Sequence, residues 1–133
     1  MNPDDFYAAI TAQLVSSTGK NIGEGEAPTS TTLPYAVVYP RSEDIDPDRL
    51  GNLSEARDAT FFEFQVTSVS GTMSDALWMV QKVRDALIGF TPTVSGDAFG
   101  KVELAQVSAV QRDDSVQPPL FYGVDEFQCF AAD

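Results

Sequence analysis

The sequence predicts an α+β protein, with a mixed, mainly antiparallel sheet of about four strands and two helices packed on one face. Two stretches of the chain support this prediction. Residues 61–67 alternate apolar and polar side chains, as a half-buried strand does, and residues 76–87 repeat apolar side chains at helical spacing. The predicted order is helix, strand, strand, helix, strand, strand. Because the second helix follows its strand after a short turn, it should lie back on the sheet beside the first helix.

The chain is expected to form a single domain over residues 1–133. Its 133 residues and 43% hydrophobic content allow a sizeable core without disulfides or metal ions. The formal net charge is −12, from 20 acidic and 8 basic residues. Specific binding to nucleic acid or to an anionic membrane needs clustered Lys and Arg, so both kinds of partner are disfavoured.

The first helix is predicted over residues 2–20, where Asn2 suits the N-cap and Gly19 suits the end. Its apolar stripe recurs at steps of four residues and consists of Phe6, Ile10 and Leu14. Residues 21–34 are rich in Gly, Pro, Ser and Thr and are predicted to be a loop. Residues 35–40, YAVVYP, are β-branched and aromatic, which predicts a short strand covered on both faces.

Residues 41–59 form a long acidic segment, which we expect to be a loop that faces solvent or contacts a partner. Four of its acids have the spacing of a calcium-binding loop: Asp44, Asp46, Asp48 and Glu55. Arg49, however, occupies the position at which such a loop needs glycine. Metal binding is therefore disfavoured, and no metal ligand is predicted.

The next strand and helix have the clearest patterns in the chain. In the strand, Phe62, Phe64 and Val66 should face the core, while the other face carries Phe61, Glu63, Gln65 and Thr67. Thr72 and Asp75 resemble a capping box at the start of the helix. The buried stripe of that helix is predicted to be Ala76, Val80, Val83 and Leu87, and Gly89 should close it. Trp78 and Met79 lie off this stripe, so each is either core or a contact with another subunit.

The last two predicted strands cover residues 101–114 and 120–132, and the pattern of the first of these is uneven. Gly123 is interpreted as the position of a bulge. Cys129, the only cysteine, lies in the apolar run FQCF and is predicted to be a small buried hydrophobe.

No catalytic or cofactor-binding residue is predicted. The chain has no histidine, which excludes His-based triads and His metal sites, and one cysteine cannot build a Cys-based zinc site. Paired carboxylates could in principle perform acid–base chemistry. Three candidates are expected to lie instead on the exposed face of a strand: Glu63, Asp125 and Glu126. The sequence therefore predicts a protein that is not an enzyme and that acts by assembling.

Several stretches of the chain resemble the tail terminator (tail completion) proteins of long-tailed bacteriophages. They are the N-terminal helix, LPYAVVYP at 33–40, FQVTSVSGT at 64–72 and SDALWMVQKVRDALIG at 74–89. Pro34-Tyr35 and the RDAL segment from Arg84 to Leu87 are the most characteristic. The resemblance spans most of the chain as a pattern of elements.

This resemblance implies helices on one side of a mixed sheet and a homo-hexameric ring at the head-proximal end of the tail. Such a ring caps the tail tube, stops its polymerisation and offers a surface for head–tail joining. The implied partners are further copies of the chain, the tail tube protein and a neck or connector protein. DNA would pass through the lumen without specific binding, and no cofactor or membrane is implied. The protein would be made in the host bacterial cytoplasm and reside in the virion.

We expect the subunit or tube interface to include residues of mixed charge and exposed aromatics: Arg41, Asp44, Asp46, Asp48, Arg49, Phe61 and Trp78. Charges at the rim of an interface set register and partner choice more than affinity. Two other phage roles remain open, a head-closure or neck adaptor and a tail tube subunit. From another class, a small ligand-binding domain or enzyme would be a monomer or dimer with a closed polar pocket.

Overall fold

The computed structural model of the protein describes residues 3–28, 32–40, 59–94 and 98–132. Within these residues the helices are α1 (Pro3–Thr18) and α2 (Met73–Leu87). The strands are β1 (Asn21–Glu24), β2 (Tyr35–Pro40), β3 (Ala59–Ser70), β4 (Ala98–Val107), β5 (Gln111–Asp113) and β6 (Leu120–Ala132). Neither helix of this described part is long and apolar enough to cross a membrane. The predicted α+β class is confirmed, and the described sheet has more strands than predicted.

The sheet is mixed and mainly antiparallel, as predicted. Its strand order is β1-β2-β3-β6-β4, and β5 pairs with β6 beyond the end of β4. Strands β1 and β2 run parallel, whereas the other neighbours pair antiparallel. The pairing of β3 with β6 is the longest and runs unbroken from Ala59 opposite Ala132 to Ser70 opposite Phe121. These two strands form the centre of the sheet, on which the helices pack.

Strand β1 lies in the stretch for which a loop was predicted. Its four residues, NIGE, contain a single large apolar side chain, Ile22, so no alternation marks them as a strand. Gly23 is required by a close approach: a Cβ there would collide with the carbonyl oxygen of Glu26 and lie 2.8 Å from the nitrogen of Pro28. The chain therefore folds back across its own edge strand at this glycine.

The predicted third strand is divided into β4 and β5. Its pairing with β6 shifts register between Phe99 and Val102 and again between Leu104 and Gln106. Each shift inserts an extra residue and reverses the facing of the residues that follow. These irregularities explain why the alternation of this stretch is uneven in the sequence.

Helix α1 packs its predicted stripe on the sheet, and Phe6, Ile10 and Leu14 are completely buried. The ring of Phe6 stacks on Phe62 with centroids 4.4 Å apart, which joins the helix to β3. The helix ends where predicted, because Gly19 takes a positive φ of 68° and its N–H donates to the carbonyl of Val15 at 3.0 Å. Asn2 lies outside the described residues.

Helix α2 begins and ends as predicted. The Thr72 hydroxyl accepts a hydrogen bond of 3.1 Å from the N–H of Asp75, and the chain turns out of the helix at Gly89, where φ is 83°. The predicted stripe is buried, and Met79 is buried with it. The Gln13 side-chain amide donates to the carbonyl of Ala86 at 3.0 Å, and Lys20, just past the end of α1, lies over Trp78 near the start of α2, so the two helices run antiparallel. Both helices thus cover the same face of the sheet.

Gly123 does not mark a bulge, because the β3–β6 register continues through it, opposite Ser68. Its role is to let α2 approach the sheet. A Cβ at this position would lie 2.8 Å from Cγ2 of Val80 and 3.3 Å from Cγ2 of Val110. Glycine in a strand often marks such a close approach rather than a bulge.

Substitution of Gly123 by Ala should therefore lower the free energy of unfolding by about 1–3 kcal/mol, the usual cost of overpacking. Adding Val80→Ala removes the clashing methyl group, so the double variant should be more stable than the sum of the single changes predicts. Gly100→Ala is the matched control, because its Cβ would meet its nearest atom at an ordinary 3.5 Å. Urea unfolding measures the wild type, the three single variants Gly123→Ala, Val80→Ala and Gly100→Ala, and the double variant. Equal stability of the Gly123→Ala and Gly100→Ala variants would contradict the close-approach explanation.

Candidate assembly surfaces

The predicted interface residues fall in three groups. Five of them lie outside the described residues: Arg41, Asp44, Asp46, Asp48 and Arg49. The backbone of Phe61 lies in β3 opposite Phe130, and its side chain also lies outside the described part. Trp78 is described in full and is exposed on α2. The predicted calcium-like spacing lies in the same segment as the first group, so the structure does not test it.

The ring of Trp78 lies close to the ammonium groups of two lysines, on the outer surface of the helical layer. Its side chain is 42% exposed, and the ammonium nitrogens of Lys20 and Lys82 each lie 5.5 Å from the ring centroid. Lys82 is one helical turn further along α2, whereas Lys20 is the second residue after the end of α1. At this distance a cation is attracted to the face of the indole ring. Two positive charges therefore lie close to one exposed aromatic ring.

Two more exposed apolar side chains lie on the same helix, Met73 and Leu77. We call the group Lys20, Met73, Leu77, Trp78 and Lys82 the Trp78 patch. The sequence indicated Trp78 because it falls off the buried stripe of α2. It gave no sign of Lys20, because the contact between the end of α1 and α2 depends on how the helices pack.

The opposite end of α1 is acidic. Asp4 and Asp5 are exposed in its first turn, and β1 brings Glu24 beside them at a shallow depression of about 260 Å³. Glu26 follows on the exposed surface just after this strand. We call Asp4, Asp5, Glu24 and Glu26 the acidic end. Acids in a first turn suit the helix dipole, but Glu24 and Glu26 belong to no helix and need another explanation.

The face of the sheet turned away from α1 and α2 is polar and aromatic. It has a depression of about 430 Å³, lined by Tyr39, Pro40, Glu63, Phe64, Gln65, Ala105, Glu126 and Phe127. Glu63 and Glu126 lie on this face, as predicted, and both are half-buried. Among the described residues, no cluster of three or more His, Cys, Asp or Glu has the arrangement of a metal site.

The prediction for Asp125 was wrong. Its side chain is 3% exposed and lies on the helix-covered face of β6. Arg84 of α2 reaches it with two hydrogen bonds, from Nε to Oδ2 at 2.8 Å and from Nη2 to Oδ1 at 2.9 Å. The hydrogen bonding by this carboxylate raises the pKa of Arg84, so the guanidinium stays charged. The pair fastens α2 to the middle of β6.

Cys129 is buried on the same face of β6, as predicted, with 1% of its surface exposed. Its thiol donates weakly to the carbonyl of Gly100 at 3.5 Å. Burial, with a smaller contribution from the charge of Glu103, raises the pKa of the thiol to about 11. A thiol that stays protonated is a poor nucleophile, so its place in the fold is that of a small core residue.

Comparison with known proteins gives a likeness of fold. No protein-family model matches the chain, and no curated protein matches it. One solved structure, described as the virion of a native gene transfer agent particle, contains a chain that superposes with a TM-score of 0.62 at 14% identity. The match covers 95% of this chain and 93% of that one. A second solved structure gives a TM-score of 0.56 at 16% identity, over 100% of this chain and 96% of that one. The fold is therefore shared over the whole length.

Replacing Arg84 by Met should lower the free energy of unfolding by about 3 kcal/mol, because it leaves a buried carboxylate without its partner. The double variant Arg84→Met with Asp125→Leu should recover most of this loss, since an apolar pair can replace a buried ion pair. Arg112→Met is the matched control: its ion pair with Asp114 is exposed on both sides, and removal should cost less than about 0.5 kcal/mol. Chemical denaturation of the four proteins tests the ranking. Similar losses for Arg84→Met and Arg112→Met would show that the buried pair has no special role.

Cys129 should make the protein less stable as the pH rises above 9. The ordinary thiol pKa is 9.0, and the folded value is about 11. Between these values the unfolded chain loses its thiol proton while the folded chain keeps it. The free energy of unfolding should therefore fall by up to about 1.4 kcal/mol per pH unit from this group. Below pH 9 the group contributes no pH dependence.

The measurement compares the wild type with Cys129→Ala between about pH 8 and about pH 11, a range that spans the two pKa values. Other groups titrate equally in both proteins, so the difference between the two curves isolates the thiol. The native thiol should also resist a disulfide exchange reagent until the protein unfolds. Parallel curves, or rapid reaction of the native thiol, would contradict this burial.

Proposed function

We propose that the chain is a structural protein of a phage-like virion. The observation that supports this most directly is the whole-length fold likeness to a chain in the virion of a gene transfer agent particle. The sequence resemblance to phage tail terminators rests on particular stretches of residues and supports the same class. A fold alone does not define a function, so the agreement of these two observations matters.

Within this class we propose the role of tail terminator. Six copies form a ring at the head-proximal end of the tail tube, stop tube polymerisation and present a surface to a neck or connector protein. A ring needs two different surfaces on each subunit, one for each neighbour. The described part of the chain offers distinct surfaces of this kind, since the Trp78 patch and the acidic end lie at opposite ends of the helical layer.

The proposed role requires DNA to pass through the ring without being held. Binding to DNA draws its free energy from lysines and arginines that replace counterions on the phosphates. With a net charge of −12, the chain has little to offer for such binding. The half-buried carboxylates Glu63 and Glu126 on the uncovered sheet face would repel phosphates if this face lines the lumen. The role involves shape and contact and no bond-making step.

Electron microscopy with the tail tube protein of the same particle tests the role. The chain alone should form single rings and no long stacks, and added to growing tubes it should shorten them and appear as a ring at one end. Tube protein without the chain is the control and should polymerise to uncontrolled lengths. Long stacks of the chain alone would favour a tube subunit instead. Rings that ignore tubes but bind the portal would favour a neck adaptor, and a monomer inert towards tubes at every concentration would overturn the virion role.

A further inference from the structure

We infer that the Trp78 patch of one copy docks on the acidic end of a second copy of this chain. This inference rests on the proposed function in one respect, namely that copies of the chain assemble into a ring. It adds the two surfaces that meet and the chemistry that joins them.

The Trp78 patch contains two of the chain's eight basic residues, and Asp75 and Asp85 are exposed on the same side of α2. Five of the eight basic residues lie in the described part of the chain: Lys20, Lys82, Arg84, Lys101 and Arg112. Arg84 and Arg112 are already paired with carboxylates, whereas neither amine beside Trp78 forms an ion pair with any described residue. Within the described ranges, the two lysines beside the exposed indole therefore have no acidic partner. On a chain this acidic, that arrangement fits an acidic partner surface.

The patch also has the apolar content of an interface core. Leu77 is 52% exposed, and it lies beside Trp78 on the outer surface of α2. Tryptophan is enriched among the residues that dominate binding energy, particularly where water is excluded around it.

The acidic end offers the complementary surface on the same molecule. Asp5, Glu24 and Glu26 are all exposed, and Glu24 lines a depression that can receive a side chain. The two surfaces lie at opposite ends of α1, which is about 20 Å long at the usual rise per residue. Contact between them is therefore heterologous and head-to-tail, the type that closes into a ring.

Other occupants fit the patch less well. A twofold pair of Trp78 patches would bring four lysine ammonium groups together, which is repulsive. Nucleic acid would have to approach a molecule of charge −12 through two lysines, too few for phosphate binding of useful strength. A second copy avoids the repulsion, because it presents acidic residues to the lysines. In a ring it is also present at high local concentration.

A charge-exchange experiment tests the inference. The first variant is Lys20→Glu with Lys82→Glu, and the second is Glu24→Lys with Glu26→Lys. Each alone should weaken self-association about tenfold or more, because like charges then face each other. Mixed in equal amounts, the two variants should regain assembly with both kinds of subunit alternating, since every contact again joins opposite charges. Sedimentation velocity over a concentration series, with native mass spectrometry for composition, gives the readout.

Two further variants complete the design. Trp78→Ala should also weaken association about tenfold or more, whereas Lys101→Glu, an exposed lysine on β4 away from the patch, should leave it unchanged. All substituted side chains are at the surface, and circular dichroism should show unaltered folding. If the wild type forms rings and the lysine variant forms them equally well, the inference is wrong and the proposed function stands. If the wild type forms no ring, alone or with tube protein, the proposed function fails and the inference with it.

Discussion

The position of α2 on strand β6 determines most of what the molecule presents to its surroundings. Two contacts hold α2 in this position. A methyl group of Val80 packs against the backbone of Gly123, and Arg84 donates two hydrogen bonds to the buried carboxylate of Asp125. The glycine allows a close approach, and the bidentate ion pair is directional. Together they set the distance of α2 from the sheet and its rotation about its own axis. With Val80 and Arg84 held against the strand, the opposite side of α2 must face outwards. That side carries Trp78, whereas Leu77 lies one turn before Val80, at the exposed edge of the helix.

The sequence predicted correctly those features that depend only on the spacing of residues within a single helix or strand. The stripes of α1 and α2, the cap at Thr72 and the alternation of β3 depend on spacing within a few residues, and the structure agrees with each. Strand β1 was missed because a four-residue edge strand with one apolar side chain has no pattern of its own. Its existence depends on parallel pairing with β2, which no local spacing reveals.

Asp125 shows a different limit of sequence reasoning. Alternation identifies which residues share a face of a strand, and Asp125 shares its face with Phe127 and Cys129. A charged residue in that series was interpreted as exposed, because buried carboxylates are uncommon without a partner. The partner, Arg84, comes from a helix 41 positions earlier in the chain. The resemblance had singled out the same arginine within the RDAL segment, where the pattern of the helix alone placed it on the polar side.

The fold likeness to a virion chain at 14% identity is understandable in these physical terms. What keeps such a fold is the placement of large, small and paired residues on one face of a sheet, and many different sequences meet that requirement. Surfaces are under no such constraint, so they distinguish one member of a fold from another. A chain of charge −12 repels its own copies at long range, and contacts between opposite charges at short range would offset that repulsion. The separation of two lysines and an indole at one end of α1 from four acids at the other provides that arrangement within one subunit.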